Sequence, residues 1–274
     1  MRRSLAFCLV FVPVLARAAG YDDFSRGIAA SNRGDSDLTI SALTSALAAG
    51  DLNASLVPVA YLDRGVAYLR KGKCPEAVAD LNAALKLKPD YLQALSARAS
   101  GNICAENLNA AISDIDTILK TKPDADAYSE RAKVRWLQGS FAAAAADYEK
   151  AVGLQPKITY WVIWLEMSRM RGGTFDPAQM RRDMADLDVV GWPSPVFNLY
   201  LGNVKPDFVN AAAVSGDPQT AVNWKCEANF YVAEWWLVQK NADAAKPLLL
   251  EAQAKCPHDF IEYDGANVEL KRLH

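Results

Sequence analysis

The chain has 274 residues, of which 51% are apolar and 23% charged, with a formal net charge of −2. These values fit a folded globular protein of one or two domains and exclude an intrinsically disordered chain. No stretch gathers five like charges, so neither a nucleic-acid footprint nor a polybasic membrane patch is encoded.

The first 18 residues read as an export signal. Arg2 and Arg3 form a positive start, Leu5 to Leu15 an apolar run, and Ala16-Arg17-Ala18 a small-x-small cleavage pattern. A mature chain beginning at Ala19 is therefore expected, periplasmic or secreted. The apolar run is shorter than the about 20 residues a membrane span needs, and no later stretch approaches that length. Cys8 lies inside the run and is expected to leave with it.

From Tyr21 to Gly50 a first helical hairpin can be read, with Phe24, Gly27 and Ile28 on one helix and Leu38, Leu43, Ala46 and Leu47 on the next. Ser36 or Asp37 is expected to cap the second helix and Gly50 to end it. Ala60 to Asp90 states the same design more clearly. Tyr61, Gly65 and Tyr68 share one helix face, Ala77, Leu81 and Ala84 share another, and Pro89 closes the unit. Gly65 is expected to let the two helices approach closely.

Two further hairpins follow in phase. The first carries Leu95, Ala99, Ala111, Ile115 and Leu119 up to Pro123, with Asn102 and Glu106 in place of the usual aromatic and glycine. The second carries Tyr128, Ala132, Gly139, Ala144, Tyr148 and Ala151 up to Pro156. Pro89 and Pro123 are 34 residues apart, and Pro123 and Pro156 are 33 apart, the period of stacked two-helix repeats.

Beyond Pro156 the period fades. An apolar helix is expected from Ile158 to Met170, broken at Gly172-Gly173, and a polar helix from Pro177 to Leu187, opened by Asp176. Trp192 to Gly202 reads as a turn and a short buried helix, and Lys205 to Ser215 as a helix begun at Pro206. Cys226 to Pro257 recovers the template through Phe230, Ala233, Trp236, Ala245, Leu249 and Ala252. Ile261 to Leu273 is expected to cover the exposed end of the stack.

The units closed by Pro89, Pro123 and Pro156 resemble bacterial tetratricopeptide repeats. The segments WPSPVFNLYLG, CEANFYVAEWWL and CPHDFIEYDGANVELKRL resemble the corresponding end of exported repeat proteins of the NlpI type. That resemblance implies a cell-envelope scaffold that brings peptidoglycan hydrolases, synthases or a protease together without chemistry of its own. Where that family usually carries a lipid-anchored cysteine this chain has Ala18-Ala19-Gly20, so the resemblance does not carry the lipid anchor over to this chain. The expected fold is an all-α tetratricopeptide-type helical-hairpin solenoid with a divergent C-terminal helical half and a capping helix. The expected divisions are a signal at 1–18, repeats at 19–156, a divergent helical segment at 157–225, and a final repeat with its capping helix at 226–274.

Four cysteines remain after the signal, an even number that in an exported chain argues for disulfides. Cys74 opens the second helix of one repeat and Cys104 ends the first helix of the next, which places both at one rim. Cys226 begins the late hairpin and Cys256 ends it. Both pairs enclose 30 residues. The alternative is four free thiols acting as small buried hydrophobes.

An enzyme needs converging nucleophiles, bases or ligands. The only histidines are His258 and His274, no metal-binding spacing occurs, and Pro257 holds Cys256 and His258 in an extended segment. Asp114, Asp116, Glu130 and Glu149 fall on faces that the repeat pattern leaves to solvent. No catalytic residue, cofactor or metal is expected.

A binding surface is the better prospect, because stacked hairpins present a concave face lined by their first helices. The positions turned away from hairpin packing are Phe24, Ile28, Leu62, Val66, Leu69, Ser96, Ser100, Ser129, Lys133 and Trp136. Such a lining suits an extended or helical apolar segment of a partner protein, with a second copy of the chain among the candidates and no nucleic acid. Trp136 is expected as the exposed anchor. The alternative places a glycan- or peptide-binding site on Trp161, Trp164, Trp192, Trp235 and Trp236, residues that otherwise pack a core.

Overall fold

The computed structural model describes residues 19–257 and 260–273. The expected export signal at 1–18, His258 and His274 lie outside the described residues. The described chain is all α-helical and divides after Asn107 into two compact units.

Unit 1 contains α1 (Ala19–Asn32), α2 (Ser36–Ala49), α3 (Val57–Arg70), α4 (Cys74–Leu87) and α5 (Leu92–Cys104). Helices α1 and α2 form one antiparallel hairpin and α3 and α4 the next, with α5 packed on α3 and α4. Small residues set the approach within each hairpin. A β-carbon at Gly27 would stand 2.6 Å from Leu43, and one at Gly65 would stand 3.0 Å from Leu81 and 3.4 Å from the Ala77 carbonyl. The close approach expected at Gly65 is therefore present.

Capping follows the sequence with one correction. Gly50 ends α2 in the left-handed conformation, at φ 71°, which costs glycine nothing. The N-cap of α2 is Asp35, whose carboxylate accepts from the Leu38 N–H at 3.0 Å, rather than Ser36 or Asp37. Both of those lie inside the helix.

Unit 2 contains α6 (Leu108–Thr121), α7 (Ala125–Leu137), α8 (Phe141–Leu154), α9 (Thr159–Gly172), α10 (Pro177–Asp183), α11 (Ser194–Tyr200), α12 (Pro206–Ala212), α13 (Pro218–Val238), α14 (Ala242–Lys255) and α15 (Ile261–Arg272). Helices α7 and α8 repeat the hairpin design, as do α13 and α14. Asp176 caps α10 through the Ala178 N–H at 2.9 Å, with Pro177 at the first helical position, but the helix stops at Asp183 instead of reaching Leu187. Helix α13 starts at Pro218 behind an Asp217 cap, two turns before Cys226.

Two helices of unit 2 are enclosed on every side. Val162 to Met170 of α9 and Cys226 to Glu234 of α13 are buried without interruption, the mark of a helix with no solvent face. Trp136, Trp164 and Phe230 meet at their centre, with ring centroids 5.1 to 5.8 Å apart. Of the carboxylates drawn into this interior, Glu234 and Glu269 are matched by guanidinium groups, whereas Glu227 and Glu262 accept from tyrosine and tryptophan donors. Arg171 donates to both Glu234 and Glu269, and Arg272 donates to Glu269.

Helix α15 packs on α13 and α14 and also reaches α7. Arg272 donates to the Leu137 carbonyl at 2.7 Å, and Gly265 gives the close contact with Trp136 and Phe230. The end of unit 2 thus folds back over the first helix of its own α7–α8 hairpin.

Candidate functional site: the inner faces of the repeat helices

The residues expected to line a binding face divide between the two units. In unit 1, Leu62, Val66 and Leu69 of α3 are half-buried, and Ser96 and Ser100 of α5 are exposed. Phe24 is a correction. It is buried in a cluster with Leu43, Ala46 and Ala60, and Ile28 packs against the same cluster. An aromatic at position 24 is therefore core, not lining.

A polar seam runs beside these apolar positions in unit 1. Asp63 of α3 accepts from the Ser31 hydroxyl at 2.9 Å, and Arg70 reaches the Ser31 carbonyl at 3.4 Å. Burial pushes the Asp63 carboxyl up, while the Ser31 hydrogen bond and the Arg70 charge pull it down. The open part of the α3 and α5 faces is thus apolar along Leu62, Val66 and Leu69, and polar at Asp63, Ser96 and Ser100.

In unit 2 the equivalent positions are covered by the chain itself. Ser129 is buried and donates to the Asp126 carbonyl at 2.8 Å. Lys133 is half-buried and its charge acts on Glu262 and Asp264 of α15. Trp136 has no exposed surface at all and packs edge-on against Trp164 and Phe230. The expectation of an exposed Trp136 anchor fails because α13 and α15 occupy that face of α7.

The carboxylates expected on solvated faces are also corrected in part. Asp114 is buried. Asp116 is half-buried and accepts from Arg131 at 2.6 Å, while Glu149, which accepts from Arg169 at 2.8 Å, and Glu130 are exposed as expected. The C-terminal tryptophans separate as well. Trp164 is core, and Trp161, Trp192, Trp235 and Trp236 are half-buried, with Trp192 stacked on Trp224 at 6.0 Å.

Two disulfides close the pairs read from the sequence, Cys74 with Cys104 and Cys226 with Cys256, at Cα separations of 5.8 and 5.0 Å. The first ties the α3–α4 hairpin to α5 within unit 1. Cys256 is therefore bonded rather than available as a nucleophile.

One repeated feature escaped the sequence analysis. Arg64 donates through Nε and Nη2 to Asp80, both at 2.7 Å, and Arg131 makes the same two-pronged contact with Asp147 at 2.7 Å. Each pair joins the two helices of one hairpin across a spacing of 16 residues. That recurrence of Arg and Asp at one spacing in two repeats is the signal by which it could have been found.

Helical hairpins joined in this way define a repeat architecture, and comparison places it. A family model described as tetratricopeptide repeat matches residues 24–91 and 105–157. These two stretches match the tetratricopeptide repeat and together take in a little under half of the chain. A tetratricopeptide repeat protein from Parabacteroides merdae ATCC 43184 aligns with a TM-score of 0.61 at 15% identity, covering 92% of this chain and 99% of that one. MamA (41-end) from Desulfovibrio magneticus RS-1 aligns at 0.54 and 16% identity, covering 61% and 92%. A further MamA structure aligns at 0.53 and 21% identity, covering 64% and 98%. At such identities the likeness is one of fold: all-α, built of tetratricopeptide-type hairpins.

Proposed function

We propose that this protein is a non-enzymatic adaptor of the cell envelope, which binds partner proteins on the inner faces of its repeat helices. The observation that carries the reading is the contrast between the two units. The inner face of α7 is filled by α13 and α15, whereas Leu62, Val66, Leu69, Ser96 and Ser100 keep solvent-accessible surface on α3 and α5. Partner binding is therefore assigned to unit 1. The resemblance to exported repeat proteins nominates peptidoglycan hydrolases, synthases or a protease as partners. The signal pattern read at residues 1–18 and the two disulfides are the support for placing the protein in an oxidising compartment outside the cytoplasm.

The test is photocrosslinking in living cells from a reactive amino acid placed at Ser96. Defined protein adducts that disappear with Val66→Glu support the groove. A set of adducts unchanged by Val66→Glu and by Leu62→Glu overturns it. A glycan-binding reading draws on the stacked, half-exposed Trp192–Trp224 pair. Retention on insoluble cell wall that falls with Trp224→Ala would favour that reading instead.

A further inference from the structure

The connector between α2 and α3 carries the one asparagine of the sequence with a serine or threonine two places on, in Asn53-Ala54-Ser55. Asparagine, any residue but proline, then serine or threonine is the acceptor pattern for an N-linked glycan in an exported chain. So short a pattern carries weight through its setting.

Leu52 and Leu56 pack against the buried cluster of Phe24, Leu43, Ala46 and Ala60, which pins both ends of the segment to unit 1. Between them Asn53, Ala54 and Ser55 are exposed, in a turn closed by the Leu56 N–H, which donates to the Asn53 carbonyl at 2.8 Å. Within this turn Ser55 donates to Asn53 Oδ1 twice, from its backbone N–H at 3.0 Å and from its hydroxyl at 2.9 Å. The carboxamide is thus held by its oxygen, as asparagine side chains commonly hold a turn two residues on. Its Nδ2 makes no hydrogen bond among the described residues.

We infer that Asn53 is the acceptor for an N-linked oligosaccharide. A transferase must hold the carboxamide and read the hydroxyl at once, and this turn presents the two side by side on exposed backbone. Neither has to be released from the core, and their mutual hydrogen bonds lower the ordering cost of docking. Asp51, also exposed, sets a carboxylate two places before the acceptor for a cationic surface of the transferase to engage.

In the reaction Asn53 Nδ2 bonds to the anomeric carbon of a sugar carried on a polyprenyl diphosphate. The bond from that carbon to the diphosphate oxygen breaks, the diphosphate leaves with the electron pair, and one Nδ2 proton passes to a base of the transferase. Nothing is oxidised or reduced. The inference rests on the export reading, since the transfer is assigned to the compartment outside the cytoplasm, and the experiment separates the two.

The full-length gene product is purified from the cells that make it, and its N-terminus and its tryptic peptide 34–64 are analysed by mass spectrometry. A chain beginning at Ala19 with a sugar mass increment located on Asn53 is expected. The increment should be lost completely on Asn53→Gln and on Ser55→Ala, and retained on Ser55→Thr. All three changes fall on exposed side chains, and thermal unfolding verifies that each variant folds. A processed chain with unmodified Asn53 overturns the inference and leaves export standing, as does an increment that survives Asn53→Gln or Ser55→Ala. A chain that keeps residues 1–18 and carries no increment overturns both.

Discussion

Gly265 on α15 lies against the Trp136 indole on α7, so close that a β-carbon at position 265 would stand 3.4 Å from that ring and 2.6 Å from Phe230. This contact turns the inner face of α7 into interior. Gly265→Ala is expected to destabilise the protein by about 1 to 3 kcal/mol through overpacking. Trp136→Ala is expected to cost about 3 to 5 kcal/mol through the cavity it leaves. Urea unfolding followed by near-ultraviolet circular dichroism measures both. A partner lost on Trp136→Ala would therefore report unfolding and not a binding contact.

The Arg131–Asp147 pair gives a second prediction. Asp147 has almost no exposed surface and also accepts from Arg135 at 2.6 Å, so Asp147→Ala removes the acceptor shared by two guanidinium groups and leaves Arg131 with Asp116 alone. A loss of about 3 to 5 kcal/mol is expected, as for other buried pairs broken from one side. Replacing Arg131 and Asp147 together by Met and Leu is expected to cost less than Asp147→Ala alone. Chemical unfolding of the two variants decides it.

Glu227 makes stability depend on pH. It accepts from the Tyr160 hydroxyl at 2.8 Å and the Trp192 indole N–H at 2.7 Å, and burial raises its carboxyl from 4.5 to about 7, with Glu262 reinforcing the rise. A carboxyl that holds its proton more tightly when folded contributes stability that is complete below the unfolded value of about 4.5 and is lost as pH climbs through about 7. The melting temperature is therefore expected to fall between pH 5 and 8, in part through this group. Glu227→Gln should flatten that slope, as scanning calorimetry across the range would register.

The two disulfides should differ in reactivity. Cys104 is exposed, whereas Cys226 and Cys256 are buried. Mild dithiothreitol on the folded protein, followed by alkylation and peptide mapping, is expected to label Cys74 and Cys104 first. Loss of either bridge should lower stability by roughly 3 to 4 kcal/mol in the loop-entropy picture.

What could be read from the sequence was what depends on neighbours a few residues away. The repeat hairpins were legible because Gly65, Ala77, Leu81 and Pro89 recur in kind at fixed intervals, and the Cys74–Cys104 pairing followed from the helix end each one occupies, whereas Cys226 reaches Cys256 from two turns inside α13. The α2 cap was misplaced because Asp35, Ser36 and Asp37 all have capping side chains, and only backbone geometry selects among them. The start of α13 was placed too late although Asp217-Pro218 carries an N-cap and a first-turn proline. The burial of Trp136 was not legible, since helical periodicity tells which side of α7 avoids α8 but not that a helix from the far end of the chain will cover it.

The return of α15 onto α7 changes how this part of the molecule should come apart. An open-ended array of repeats can fray from its termini, each module leaving with only its nearest neighbour's support. Here the last helix is clasped to a hairpin near the beginning of unit 2 through Gly265 and the Arg272–Leu137 hydrogen bond. The intervening helices are therefore held in a closed loop of contacts, and their melting should be a single sharp event with no stepwise peeling.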